Sequence, residues 1–141
     1  MLALLTFAAV TFFADQASKR AVRRQTAPNQ CGPFLWIRQV SHYEHAYEQN
    51  ASRLVFILLW FAALLSAAWL NASGVWLQGT VAAAGVGCAL GGAAGNLIDI
   101  LRRRHITNFI DLGWWPVFNL ADVAIVGGLL LAFWSAVWRH V

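Results

Sequence analysis

Five polar residues at the edges of two very apolar segments are the residues of this chain best placed to do chemistry. They are Asn96, Asp99, Asp111, Asn119 and Asp122. Ionisable groups at membrane depth are costly to bury, so they are candidates for function by default. Asn96 and Asp99 are three positions apart, as are Asn119 and Asp122, so on a helix each pair shares one face. Two helices with polar ends could therefore meet around one acid–base site.

The segments that must position these residues are predicted to be membrane helices. The chain has 141 residues, of which 60% are hydrophobic and 11% charged, which is too apolar for an ordinary soluble domain. Helices are predicted near 1–15, 54–70, 75–98 and 117–138, and the last three are each long enough to cross a hydrocarbon core of about 30 Å. The predicted fold is a single all-α integral membrane domain over residues 1–141. It has four transmembrane helices and a small extramembrane loop and strand region between helices 1 and 2.

The first predicted helix is short for a membrane span. Residues 1–14 are apolar, but as a helix they rise only about 21 Å. A signal peptide is the alternative, yet the segment lacks a basic n-region and a small-residue cleavage site. A resemblance to a known family, described next, implies that a motif with charged residues closes a first membrane helix, and for that reason we expect a helix that ends near residue 15.

Three short motifs resemble the signature boxes of signal peptidase II, the lipoprotein signal peptidase. They are DQASK at 15–19, GNLID at 95–99 and FNLAD at 118–122, in the family's order and in a chain of the family's length. The resemblance implies an aspartic endopeptidase of the bacterial inner membrane that removes signal peptides from prolipoproteins. It also implies a site on the periplasmic side and a lipoprotein or lipid as partner, with no cofactor.

The chain departs from this family where the chemistry would take place. The resemblance matches Asp122 to one catalytic aspartate, but Asn108 stands at the position of the other and Ile100 at that of an arginine. An aspartic dyad works because two close carboxylates share one proton, and an asparagine side chain cannot carry that proton. We therefore expect a catalytically impaired enzyme.

Asp111 is the nearby carboxylate that could replace the missing one. If residues 108–111 form a helical turn, Asp111 lies roughly 5 Å from position 108 on the same face. If they are extended, it lies about 10 Å away on the opposite face. Asp122 with Asp111 is thus the predicted catalytic pair if the chain is active, and the sequence leaves both geometries open.

The resemblance further implies that the remaining polar motif residues help to bind substrate. These residues are Asp15, Lys19, Asn96, Asp99 and Asn119. The family's second box corresponds to HYEHAY at 42–47, where Glu44 replaces a glycine and would close space for a peptide. His42, Glu44, His45 and Glu48 have metal-ligand spacing, but they match no defined motif, and no metal is predicted.

Basic residues are distributed very unevenly about the predicted helices. Nine of the ten lysines and arginines fall on one side, which the positive-inside rule would place in the cytoplasm. The resemblance places that side outside, and we follow it. The basic residues can contact anionic lipid headgroups, and they lack the interleaved aromatic residues of a nucleic-acid site.

Three functional hypotheses follow, and we favour the first. It is an impaired signal peptidase II relative that binds a lipoprotein, a lipid or a membrane-protein partner. The second is an active peptidase that uses Asp122 with Asp111, and the third is an accessory subunit of a larger membrane complex. Gly87, Gly91 and Gly95 have the spacing that lets membrane helices approach closely, and we interpret it as packing within the chain rather than as an oligomer face.

Overall fold

The computed structural model describes residues 1–24, 29–30, 36–40, 79–114 and 116–138. These residues form α1 (Leu2–Arg23), β1 (Asn29–Gln30), β2 (Trp36–Val40), α2 (Thr80–Arg103), β3 (Asn108–Asp111) and α3 (Leu120–Val137). The predictions of a helix near 54–70, of an altered loop at 42–47 and of metal-ligand spacing at 42–48 all lie outside the described residues.

Helix α1 is longer than the sequence suggested. It contains 22 residues, which rise about 33 Å, and it continues to Arg23 instead of ending near residue 15. Asp15 and Lys19 are therefore inside the helix, where both side chains are fully buried and form an i,i+4 ion pair of 2.8 Å. The predicted end was too early because the charges at this point neutralise each other and do not mark an exit into water.

Helices α1 and α2 run parallel and touch along a row of glycines. A Cβ atom on Gly87 would collide with the backbone oxygen of Leu4, and one on Gly91 would collide with that of Ala8. Gly95 lies against the Asp15 carboxylate. The interpretation of this glycine spacing as packing within the chain is confirmed.

A second row of small residues on α2 packs against α3. Gly85 lies against the backbone of Gly128, and Gly92 lies against the backbone oxygen of Ala121. The later residue of α2 thus meets the earlier residue of α3, which shows that these two helices are antiparallel. Helix α2 is therefore the central element, and its C-terminal half lies beside the start of α3.

Within the described residues, α2 is the one helix long and apolar enough to cross a membrane, with 24 residues. The apolar part of α3, Leu120–Ser135, is shorter. Several large apolar side chains of α3 are exposed, among them Leu130, Phe133 and Trp134. The described chain is mostly helical, as expected for an all-α membrane protein.

A small antiparallel sheet lies among the three helices, with strand order β1-β2-β3. Strand β2 overlaps at Trp36 and Ile37 with a strand predicted over 34–37. Strand β3, between α2 and α3, was not predicted. It pairs with β2 through Val40 opposite Asn108, and the backbones of Ile110 and Phe118 form a bridge that closes β3 onto the start of α3. The sheet thereby places Asn108 next to the first turn of α3.

We expect Gly91→Ala to lower the free energy of unfolding by about 1–3 kcal/mol, the usual range for overpacking a tight contact. The added methyl group would meet the rigid backbone of Ala8. Gly127→Ala is the matched control, because nothing lies within 4 Å of the position that its Cβ atom would occupy and alanine favours a helix by up to about 1 kcal/mol. Thermal unfolding of both variants in detergent tests the prediction. Equal stability of the two variants would contradict the close α1–α2 contact.

Candidate active site

The first turn of α3 is fixed by two residues that cap each other. Asn119 is the N-cap, and its Oδ1 accepts a hydrogen bond of 3.0 Å from the backbone N–H of Asp122. In return, Oδ2 of Asp122 accepts one of 3.0 Å from the backbone N–H of Asn119. Asn119 and Asp122, which were predicted to share one face of a helix, thus form a capping box. It holds Asn119 just outside the helix and Asp122 in its first turn.

Lys19 is the buried centre of the polar network between α1 and α2. Its ammonium group donates to Asp15 Oδ2 at 2.8 Å, to Asn96 Oδ1 at 2.9 Å and to Asp99 Oδ2 at 3.1 Å. A lysine has three N–H donors, so all of them are used. The side chains of Lys19, Asp15 and Asp99 are fully buried, so two buried carboxylates share one buried cation.

Lys19 also sets the orientation of the Asn96 amide. An ammonium group can only donate, so the Asn96 atom that faces it must be the oxygen. The Nδ2 group of Asn96 consequently points the other way and donates to Asp122 Oδ1 at 2.8 Å. The buried ion cluster is in this way connected to the Asp122 carboxylate.

The Asn119 amide is oriented by the backbone in a similar manner. Because its oxygen accepts the N–H of Asp122, its Nδ2 must donate, and it does so to Asn96 Oδ1 at 3.1 Å and to Asn108 Oδ1 at 2.8 Å. Asn108 therefore turns its oxygen toward Asn119. Its Nδ2 group has no hydrogen-bond acceptor among the described residues.

Asn108 and Asp122 thus lie on either side of Asn119, at the positions that the resemblance assigns to the catalytic dyad. Both residues are half-buried. Each oxygen of Asp122 accepts one hydrogen bond, from Asn96 and from the backbone of Asn119. The site holds one carboxylate and three amides, which can bind hydrogen-bonding groups but cannot share a proton between two acids.

Asp111 lies on the other side of β3. The segment 108–111 is a strand whose burial alternates, so residues 108 and 111 face opposite ways. Oδ1 of Asp111 accepts a hydrogen bond of 2.9 Å from the backbone N–H of Gly113. Of the two geometries left open by the sequence, the structure has the extended one, in which Asp111 does not face Asn108.

Asp99 forms an ion pair with an arginine of its own helix. Its Oδ2 accepts from the backbone N–H of Thr107 at 3.2 Å as well as from Lys19. Its Oδ1 lies 3.5 Å from Arg103 Nε, an ion-pair distance without hydrogen-bond geometry. Ile100, where the resemblance implies an arginine, is buried in the core. Arg103, one turn along α2, therefore supplies a cation beside this carboxylate.

Some contacts to the site were not found from the sequence. Asp15 Oδ1 accepts from the backbone N–H of Ala121 at 3.1 Å, so a carboxylate of α1 helps to cap α3. Gln16 Nε2 donates to the Gly95 oxygen at 3.1 Å. The first turn of a helix has free N–H groups that favour a carboxylate, but no local signal shows which distant residue provides it.

The sequence of this chain is similar to those of known proteins of one family. The family model for signal peptidase (SPase) II matches residues 7–138. A lipoprotein signal peptidase of Moorella thermoacetica is 35% identical over 144 residues, which cover 96% of this chain and 89% of the relative. The corresponding protein of Mycolicibacterium smegmatis is 32% identical over 91% of this chain, and the alignment spans 58% of that relative's length.

Solved structures agree on the fold. A bacterial membrane enzyme determined by the in meso method at 1.9 Å resolution has a TM-score of 0.74 and 18% sequence identity, with 94% of this chain and 90% of that one covered. A second such structure, at 2.3 Å resolution, has a TM-score of 0.70 and 17% identity, with 97% and 88% covered. The motif resemblance, the family match over residues 7–138 and the full-length relative lead to one conclusion: this chain belongs to the signal peptidase II family.

Proposed function

We propose that this chain is a multi-pass protein of the bacterial inner membrane that binds the lipid-modified signal segment of a lipoprotein without cleaving it. The observation that carries the proposal is the fixed orientation of Asn108. Its amide oxygen accepts from Asn119 Nδ2 at 2.8 Å, at the position where the family resemblance requires a carboxylic acid. In this proposal the site faces the periplasm, as the resemblance implies.

Cleavage by an aspartic dyad needs one group that takes a proton from water and another that gives a proton to the carbonyl oxygen. Asn108 can do neither. Asp122 alone can act as a base, but it has no acid beside it in the described network. Asp111 is on the opposite side of β3 and binds the backbone of Gly113. The described residues therefore favour an impaired peptidase over an active one that pairs Asp122 with Asp111.

Unlike cleavage, binding of a peptide requires no proton transfer, and hydrogen bonds are sufficient for it. Asn108 Nδ2 offers donors, and Asp122 has lone pairs left after accepting from Asn96 and from the Asn119 backbone. A donor beside an acceptor is complementary to one residue of an extended peptide, whose C=O would accept from Asn108 and whose N–H would donate to Asp122. A dyad with one shared proton presents the same pattern. The amide thus keeps the recognition pattern and removes the transferable proton.

The residues that the resemblance assigns to substrate binding have another role in this proposal. Asp15, Lys19, Asp99 and Asn119 are fully buried, and Asn96 is 3% exposed. A substrate could not touch these side chains without displacing the bonds that join α1, α2 and α3. We assign them as positioning residues that hold the Asn108 and Asp122 side chains.

The test is binding and cleavage of a diacylglyceryl-modified peptide that spans a lipoprotein signal segment. We expect the wild-type protein in detergent to bind the peptide, followed by fluorescence anisotropy, and mass spectrometry to show that the peptide stays intact. Asn108→Leu keeps the approximate volume but removes the donors, and we expect it to weaken binding by about 3- to 10-fold, the effect of one hydrogen bond.

Asp111→Asn is the matched control, because it neutralises the carboxylate on the far side of β3 and is expected to leave binding unchanged. Cleavage by the wild type that Asp111→Asn abolishes would overturn the proposal in favour of an active peptidase. A wild type that does not bind the peptide at all would instead favour an accessory subunit.

A further inference from the structure

Six arginines lie at one end of the helix bundle. Because α1 and α2 are parallel, their C-terminal ends lie side by side, and each end is basic. The arginine cluster is made up of Arg20, Arg23, Arg24, Arg102, Arg103 and Arg104.

The charge of the arginine cluster is poorly balanced. Within the described part of the chain, Asp15 and Asp99 are the carboxylates that reach this end, and Lys19 lies between them with ion pairs of 2.8 and 3.1 Å. Asp99 has one further ion pair, of 3.5 Å with Arg103. Among the described residues, the other five arginines have no carboxylate within 4.0 Å.

The C-terminal ends of α1 and α2 offset part of the positive charge of the arginine cluster. Each helix C-terminus has the effect of roughly half a negative charge, and arginines in the last turn are stabilised by it. Two such ends offset about one of the six positive charges. A net positive surface remains where the two helices end.

Arg23 has a fixed position and an unused donor. Its Nη1 donates to Thr107 Oγ1 at 3.1 Å, whereas its buried Nη2 has no hydrogen-bond partner among the described residues. Arg23 interacts with the like charges of Arg103 and Arg20 as well as with the opposite charges of Asp99 and Asp15. A buried donor without an acceptor destabilises a protein. An acceptor with negative charge that entered between Arg23 and Arg103 would satisfy the donor and relieve the repulsion.

We propose that the arginine cluster binds the phosphodiester headgroup of an anionic glycerophospholipid, centred between Arg23 and Arg103. The cluster stands at the end of α2, the helix with the length and hydropathy of a membrane span, so it lies at the depth of lipid headgroups. Guanidinium groups match phosphate oxygens with two parallel hydrogen bonds. The acyl chains of a bound lipid would remain in the hydrocarbon layer beside the helices.

This site recognises a different chemical group from the lipoprotein site, and it adjoins that site through the hydrogen bond of Arg23 to Thr107, the residue before Asn108. A lipoprotein signal segment carries a diacylglyceryl group but no phosphate, so binding at the cluster and binding at Asn108 can succeed or fail independently. A neutralised cluster would also be compatible with the non-cytoplasmic orientation, which the excess of basic residues otherwise disfavours.

Native mass spectrometry of the full chain in detergent, titrated with phosphatidylglycerol or with phosphatidylcholine, tests this proposal. We expect the wild type to retain phosphatidylglycerol more tightly. Arg23→Gln is expected to reduce that affinity about fivefold, which corresponds to about 1 kcal/mol for one basic residue near an anionic surface. Arg20→Gln is a second variant with a similar expected loss. Arg20 is exposed, so we expect this variant to fold as the wild type does.

Arg139→Gln is the charge-matched control, since it removes one positive charge from the sequence that follows α3. Equal retention of the two lipids by the wild type would overturn the proposal. So would a loss in Arg139→Gln as large as that in Arg20→Gln, which would indicate diffuse attraction instead of a site. Displacement of the lipid by the same concentration of inorganic phosphate would show that the cluster binds a soluble anion and would also overturn it.

Discussion

Asn108→Asp is expected to cleave a diacylglyceryl-modified prolipoprotein at least about 10²-fold faster than the wild type, the lower end of what a positioned acid or base contributes. The substitution replaces one NH2 group by an oxygen and leaves the size of the side chain unchanged. The new carboxylate lies beside Asn119, whose other neighbour is Asp122. Two close acids can share one proton, which is what the wild-type site lacks.

The hydrogen bonds around position 108 are already suited to an acid. Asn119 Nδ2 donates to the Asn108 oxygen, and it would donate equally to a carboxylate oxygen. Its direction does not depend on residue 108, because the backbone N–H of Asp122 fixes the Asn119 amide. The second oxygen of the new carboxylate would occupy the place of the Asn108 Nδ2 group. The hydrogen bond from Asn119 Nδ2 is therefore expected to remain in the variant.

Product formation is measured by mass spectrometry, and the double variant Asn108→Asp/Asp122→Asn is the control that removes the second acid again. It should be as inactive as the wild type. If Asn108→Asp binds the lipopeptide but does not cut it, the amide is not what prevents catalysis. The altered segment at 42–47, with Glu44 in place of a glycine, would then be the better explanation.

The sequence identified polar motif residues that lie together in the structure, but not all of their partners. Motifs at 15–19, 95–99 and 118–122 were recognised, and their polar residues do meet in one network. The mutual capping of Asn119 and Asp122 had a local signal, since a capping residue followed three positions later by an acceptor is typical of a helix start. The first turn of α3 could therefore have been predicted more sharply than it was.

Other features depend on contacts between distant parts of the chain. The position of Asp111 relative to Asn108 is decided by whether 108–111 is extended, and the pairing of β3 with β2 decides that. The length of α1 depends on Asp99, Asn96 and the backbone of Ala121, which neutralise or bond to charges that look like a helix end. Local propensity contains no information about such partners.

Lys19→Met is expected to cause the largest loss of stability, about 3–5 kcal/mol, the usual cost of removing one partner from a buried ion pair. Methionine approximates the length of the lysine stem, so the effect of packing is small. The carboxylates of Asp15 and Asp99 would remain fully buried without their shared cation. Thermal and denaturant unfolding in detergent micelles measure the loss.

Arg24→Met is the matched control, because Arg24 is exposed at the end of α1 and surface substitutions usually change stability by no more than about 0.5 kcal/mol. A mild effect of Lys19→Met, equal to that of Arg24→Met, would contradict the buried network. Asp15→Asn should recover part of the loss when it is combined with Lys19→Met, because it removes the carboxylate whose ion-pair partner is Lys19, whereas Asp99 keeps its ion pair with Arg103. The non-additive term of that double-mutant cycle measures the coupling between the two residues directly.

Lys19→Met is expected to affect the position of Asp122 as well as the stability of the protein. Without the Lys19 ammonium, the Asn96 oxygen keeps only the hydrogen bond from Asn119 Nδ2, of 3.1 Å, so the Asn96 amide is held less firmly. The hydrogen bond from Asn96 Nδ2 to Asp122 Oδ1, now 2.8 Å, would then position the Asp122 carboxylate less well. Lys19→Met placed in the Asn108→Asp background should therefore lower cleavage even at temperatures where the protein remains folded. Full activity of the folded double variant would show that Lys19 stabilises the bundle but does not position Asp122.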